Sequence, residues 1–178
     1  MQTRTLVLLE NGQERKYDGK SLTQERKMEL MEYKNKEYLK LLERMSADDV
    51  AVEVRSTLDE LRKKGYGLAV GSSSKNAKFI LDRVQLTDYF DAISDGNNIT
   101  FSKPDPEVFL KASEMLCIAP QKCIVVEDAR VGIDAAIRGR MRTIGIGDAA
   151  HYEKTDFAIQ KFTDILEVER KFLSIDKM

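Results

Sequence analysis

The sequence predicts a three-layer α/β fold, a parallel sheet with helices on both faces. Three observations carry this. From about residue 50, short apolar runs alternate with amphipathic segments of helical period. The runs YGLAV, CIVV and TIGI are apolar throughout rather than every second residue, as in strands buried on both faces. Helices separate the runs, and helical crossovers are how parallel strands are joined.

Residues 1–50 differ from the rest and read as mostly one long charged helix. Ser21 with Gln24 has the form of a capping box at its start. Met28, Met31, Tyr38, Leu41, Leu42 and Met45 recur at helical spacing and read as a packing stripe. Val54–Lys64 is an amphipathic helix that stops at Gly65, placed as a C′ glycine. A strand, Tyr66–Val70, and a helix, Lys75–Val84, follow, then a strand core at Ala92–Ile93. Pro106–Leu116 is a helix with proline in its first turn. Next come strand Cys123–Val126, helix Val131–Arg138, strand Thr143–Ile146, a short strand at Phe157–Ile159 and a last helix, Thr163–Phe172. There are no repeats and no low-complexity linker.

The 178 residues suffice for one domain with a small appendage. A formal net charge of −1 points away from nucleic acid or an anionic membrane as partner. No apolar run approaches the roughly 18–20 residues of a membrane span. The amino terminus lacks the small-residue cleavage site of a signal peptide. Cys117 and Cys123 read as two buried thiols rather than a disulfide. A cytoplasmic location is expected.

In a parallel sheet ligands bind at the carboxyl ends of the strands, and three polar clusters fall there. After YGLAV comes Gly71-Ser72-Ser73-Ser74-Lys75-Asn76, whose backbone N–H groups and hydroxyls suit a phosphate. Its alternative is an ordinary serine-rich N-cap loop. Lys103 lies in Ser102-Lys103-Pro104-Asp105-Pro106, a stiff frame in which a lysine can neutralise phosphate as a fixed charge. Its alternative is a solvated lysine beside a turn. Glu127 and Asp128 follow CIVV. Two acids at the end of a buried strand call for a cation, and hard oxygen donors suit Mg²⁺. Their alternative is a helix N-cap at Asp128 with an acidic neighbour. Phosphoryl transfer needs all three groups, and here they come in order along one sheet edge.

At this point the sequence resembles the haloacid dehalogenase superfamily of phosphatases and phosphomutases. The stretches AVGSSSKNAKFILDRVQLTDYFDAISDG, SKPDPEVFLKA and IVVEDARVGIDAA resemble its β-phosphoglucomutases, and MEYKNKEY resembles the second half of that family's helical cap. The resemblance implies a Rossmann-like sheet over residues 51–178, with a partial helical cap over residues 1–50. It implies catalytic roles for Ser72 and Lys103 and a Mg²⁺ site at Glu127 and Asp128. Ser73, Ser74, Lys75 and Asn76 would hold phosphate, and Lys34 would reach the sugar from the cap. Arg4 is the nearest arginine to the cap position that meets the distal phosphate. The implied reaction interconverts β-glucose 1-phosphate and glucose 6-phosphate through a bisphosphate. A related sugar-phosphate phosphatase, a non-enzymatic remnant that binds phosphate and metal, or half of a two-chain assembly are the alternatives.

The departures bear on activity. The family's first strand ends in Asp-x-Asp-Gly, whose first Asp is the nucleophile, and the sequence has no such motif. In LVLLENG, Leu9 and Asn11 would stand for the two aspartates, and we read that stretch as cap. The chain is therefore expected to begin within the cap, without the nucleophile strand, and to be inactive alone. That strand lies centrally in the family, between the strands that here are Tyr66–Val70 and Cys123–Val126. A replacement is expected in its place, either Thr5–Leu9 (swapped between copies in a homodimer or from its own chain) or a separate amino-terminal fragment. Val52-Glu53 replaces a hinge Pro-Gly, and Arg140 stands where a glycine usually follows the helix. His151, the sole histidine, reads as a surface loop residue.

Overall fold

The computed structural model describes residues 23–175. Ser21, Arg4, Leu9, Asn11 and Thr5–Leu9 lie outside the described residues. The elements run α1 (Gln24–Leu42), α2 (Val52–Lys63), β1 (Ala69–Gly71), α3 (Ala77–Arg83), β2 (Ala92–Ser94), α4 (Glu107–Met115), β3 (Ile124–Glu127), α5 (Arg130–Arg138), β4 (Arg142–Ile146), β5 (Phe157–Ile159) and α6 (Ile165–Ile175), with short 3₁₀ turns between. Every strand pairing is parallel, as continuous apolar runs between helices require. Among the described residues no helix is long and apolar enough to cross a membrane.

The strands form two groups, β1–β2 and β3–β4–β5. Val70 sits opposite Ile93 in the first, and Val126 opposite Ile144 in the second. Two helices tie the groups together. On one face α2 places Leu58 against Leu81, Val84 and Leu86, and Leu61 against Ile144, Ile159, Ile165 and Val168. On the other face α4 packs on β1 and β2, while its Val108 and Phe109 join Val125, Ala135, Ala136 and Met141. Between β1 and β3 lies a cavity of about 390 Å³ whose wall includes Leu68, Val70, Phe109, Val125 and Val126. Tyr66 and Glu169 also line it, and the buried Glu169 carboxylate there accepts from Tyr66 OH at 2.7 Å and Lys64 Nζ at 2.6 Å.

β1 is shorter than the apolar run suggests. Leu68 N donates to the Asp91 side chain at 2.9 Å and Asp91 N donates to Leu68 O at 2.8 Å, so a side chain stands in for the ladder there. Gly65 closes α2 with φ +84°, the left-handed C′ position that glycine occupies without strain. Arg140 occupies the same position after α5 with φ +59°, where a side chain is disfavoured.

α1 departs furthest from expectation. Its N-cap is Thr23, whose hydroxyl accepts from Arg26 N at 3.2 Å, rather than Ser21. Of the apolar stripe only Leu42 is buried, Tyr38 and Met45 are half-buried, and Met28, Met31 and Leu41 are exposed. Periodicity defines an apolar face, but among the described residues only the last turns of α1 have core beneath them. Arg83 Nη2 donates to Glu43 O at 2.6 Å, and Arg55 Nη2 donates to Ala47 O at 3.3 Å, which moors this end to the core. The cysteines are free, as expected, but Cys117 is exposed and Cys123 only half-buried. Cys117 follows α4 in the turn that leaves the helix, with φ +57°.

Candidate active site

The carboxyl ends of β1, β2 and β3 bring three of the anticipated groups to one place. Ser72, directly after β1, is buried, and its N–H donates to Ser94 O at 2.9 Å. The Ser72 hydroxyl accepts from Ser74 N at 3.1 Å, and the Ser74 hydroxyl accepts from Asn76 N at 3.1 Å. The serines thus wind the loop itself. They do not cap α3, whose N-cap Asn76 makes no side-chain capping bond. Ser73, Ser74 and Asn76 are partly buried and Lys75 is exposed.

Lys103 does not point to solvent. Its side chain is 5% exposed, and Nζ forms an ion pair with Glu127 Oε1 and donates to Gly71 O at 3.2 Å. The ammonium also lies 4.5 Å from the centre of the Phe109 ring, a favourable cation–π placement. Gly71 allows this stacking, since a methyl there would come within 2.7 Å of Phe109 Cδ1. Glu127 is 2% exposed and its Oε2 has no hydrogen-bond partner among the described residues, nor has the buried Oδ1 of Asp128. Burial pushes the Glu127 carboxyl above its ordinary value despite the opposing charge of Lys103. Burial also raises Asp128, with Asp148 adding to the rise. Asp128 is not a helix cap, because the N-cap of α5 is Ala129. Lys34 is exposed on α1, next to Asn35, whose Oδ1 accepts from Asn76 Nδ2 at 3.4 Å.

Two orphaned carboxylate oxygens on consecutive residues fit a hard cation that keeps part of its water shell. Among the described residues no group of three or more metal-ligating side chains gathers, so Glu127 and Asp128 would hold Mg²⁺ only together with water or a phosphate.

Sequence reasoning missed two supports. Gly132 lies over Glu127, and a methyl there would overlap its carboxyl group. A glycine inside a helix, five residues beyond the acid, was the available signal. The other is Glu107, which accepts from Thr100 N at 2.8 Å and Phe101 N at 2.7 Å and pairs with Lys111 at 2.9 Å. It fixes the loop that leads into Lys103. The Lys111 hydrogen bond and the two backbone donors hold its carboxyl down to about 2, against an ordinary 4.5. A carboxyl lowered on folding contributes fully above its ordinary value and loses that contribution as pH falls towards the folded one. Hydrogen exchange at Thr100 and Phe101 should therefore lose protection between about pH 4.5 and 2. Glu107→Gln should be pH-independent across that interval. A wild-type loop indifferent to pH would contradict the assignment.

A family model described as haloacid dehalogenase-like hydrolase matches residues 8–146. The chain belongs to this family. Haloacid dehalogenase-like proteins similar to it include β-phosphoglucomutase of Bacillus subtilis, 33% identical over 159 residues, or 89% of this chain and 68% of that protein. A phosphorylated carbohydrates phosphatase of Thermotoga maritima is 32% identical over 129 residues, 67% of this chain and 59% of that protein. The crystal structure of β-phosphoglucomutase from Clostridium difficile superposes with a TM-score of 0.77 at 30% identity, over 86% of this chain and 71% of that one. The chain thus spans between about three-fifths and seven-tenths of the length of these three relatives.

Proposed function

We propose that this chain binds a small phosphorylated sugar at the ends of β1–β3 and is a β-phosphoglucomutase-type phosphoryl-transfer protein. The observation that carries the proposal is the buried Lys103–Glu127 pair against Gly71, next to Ser72, with two carboxylate oxygens left unpaired. Ser72 is the hydroxyl donor to the transferring phosphoryl group, and Lys103 supplies the fixed positive charge. Mg²⁺ at Glu127 and Asp128 would neutralise charge on the phosphoryl oxygens. Ser73, Ser74, Lys75 and Asn76 take the non-transferring phosphate, with Lys34 approaching the sugar. The contact from Asn35 to Asn76, which brings α1 over this loop, favours the mutase reading. A phosphatase acting on a sugar phosphate is the second reading, favoured by the similarity to the Thermotoga protein.

Turnover through an aspartyl-phosphate needs a carboxylate that forms a bond, and neighbouring electrostatics do not replace it. The 178 residues contain no Asp-x-Asp-Gly, so the chain alone is expected to bind without converting substrate. Titration calorimetry with Mg²⁺ and inorganic phosphate should show weak coupled binding. Asp128→Asn, or Glu127→Ala with Asp128→Ala, should remove it. Unchanged binding in the double variant would overturn the metal assignment. Robust conversion of β-glucose 1-phosphate by the purified chain, lost on changing Lys103, would overturn the inactivity.

A further inference from the structure

We infer that Gly96 and Asn97, in the loop after β2, are positioning residues for the anion loop, an inference that rests on the phosphate reading of Ser72–Asn76. Gly96 N donates to Ser74 O at 3.2 Å, and Asn97 Nδ2 donates to Lys75 O at 2.9 Å. Two consecutive carbonyls of the anion loop are thus held from the neighbouring strand's end. The approach is close, since a methyl on Gly96 would lie 2.5 Å from Ser73 O and 2.9 Å from Lys75 N. The holding loop is itself wound tight. Asp95 is fully buried, its Oδ1 accepts from Asn97 N at 2.9 Å, and Asn98 Oδ1 accepts from Asp95 N at 3.0 Å and Ser94 Oγ at 3.2 Å.

Carbonyls turned towards Gly96 and Asn97 are carbonyls turned away from an anion. A carbonyl facing a phosphate repels it, so fixing Ser74 and Lys75 in this sense leaves the N–H groups of Ser73 and Lys75 and the serine hydroxyl protons to face it, since the N–H groups of Ser72, Ser74 and Asn76 are already engaged. The same loop continues through Thr100 and Phe101, pinned by Glu107, into Lys103. One segment therefore sets the geometry of both halves of the proposed anion site, while neither Gly96 nor Asn97 needs to touch the ligand.

Asn97 is exposed, which permits a clean test. Asn97→Asp turns a donor facing Lys75 O into a second acceptor, and Asn97→Ala removes it. With inorganic phosphate as probe in the presence of Mg²⁺, the dissociation constant should rise about five- to tenfold in Asn97→Ala, the size of one hydrogen bond, and further in Asn97→Asp. Mg²⁺ binding without phosphate should not change, and the melting temperature should stay within about 2 °C, as for an exposed polar site. The backbone amide resonances of Ser74 and Asn76 should move in both variants. Gly96→Ala should weaken phosphate more than either. If wild type binds phosphate and both Asn97 variants match it within twofold, the inference is overturned and the proposed function stands. If wild type binds no phosphate, both fall together.

Discussion

Lys103→Ala should lower the unfolding free energy by about 3–5 kcal/mol, the cost of leaving one member of a buried ion pair without its partner. Glu127 is 2% exposed and one of its oxygens already has no partner. Without Lys103 the other oxygen loses its cation, and the only relief is to take up a proton. The Glu127 carboxyl is raised by burial even in the wild type, and the substitution raises it further. An acid whose folded value lies above its unfolded one stabilises the fold below the unfolded value and loses that as pH rises through the folded one. The deficit of Lys103→Ala should therefore be smallest near pH 4.5 and grow towards neutrality. Lys103→Met combined with Glu127→Leu removes both charges and should recover most of the loss, while phosphate binding stays absent. Denaturant unfolding of the three proteins across pH measures this. A single variant as stable as wild type at pH 7 would show that the pair is not buried as described.

The second large effect concerns the slot between β1 and β3. β1 pairs only with β2, and β3 only with β4, among the described residues. Each presents its other edge to an apolar cavity of about 390 Å³. Backbone groups left unpaired in such a place cost on the order of 1–3 kcal/mol each, against a total stability of roughly 5–15 kcal/mol. Thr5–Leu9, the filler expected from sequence, lies outside the described residues. We expect a further parallel strand to occupy the slot, supplied by this chain, a second copy or a separate fragment. Light scattering separates monomer from dimer, and hydrogen exchange should show the slot-facing amides of β1 and β3 protected. A compact monomer in which those amides exchange fast would refute it. Restoration of protection only on adding a separate strand peptide would assign the slot to another fragment.

Most strands and helices of the core were legible because each has a local cause: apolar runs, Gly65 at a C′ position, Pro106 before α4. The three site groups were legible because strand ends in a parallel sheet converge. What escaped depends on distance along the chain. Lys103 and Glu127 are 24 residues apart, and nothing in either stretch says that the lysine folds back onto the acid. Gly132 matters only through the carboxyl beneath it. The exposure of Met28 and Met31 depends on what faces α1, which the stripe itself does not encode. Arg140 was visible as a departure from the family's glycine, and its φ of +59° gives that departure a physical meaning.

The mooring of α1 has a mechanical consequence. The helix leaves the core at Glu43–Ala47 and runs 19 residues outward, a lever of about 28 Å. A swing of about 10° about that fulcrum carries Thr23 about 5 Å but Asn35, some eight residues out, only about 2 Å. Two ångströms is still more than the 3.4 Å contact between Asn35 and Asn76 tolerates. The loop Ser72–Asn76 touches the lever through Asn35, so a few degrees at two arginine–carbonyl links would change how near Lys34 stands to that loop.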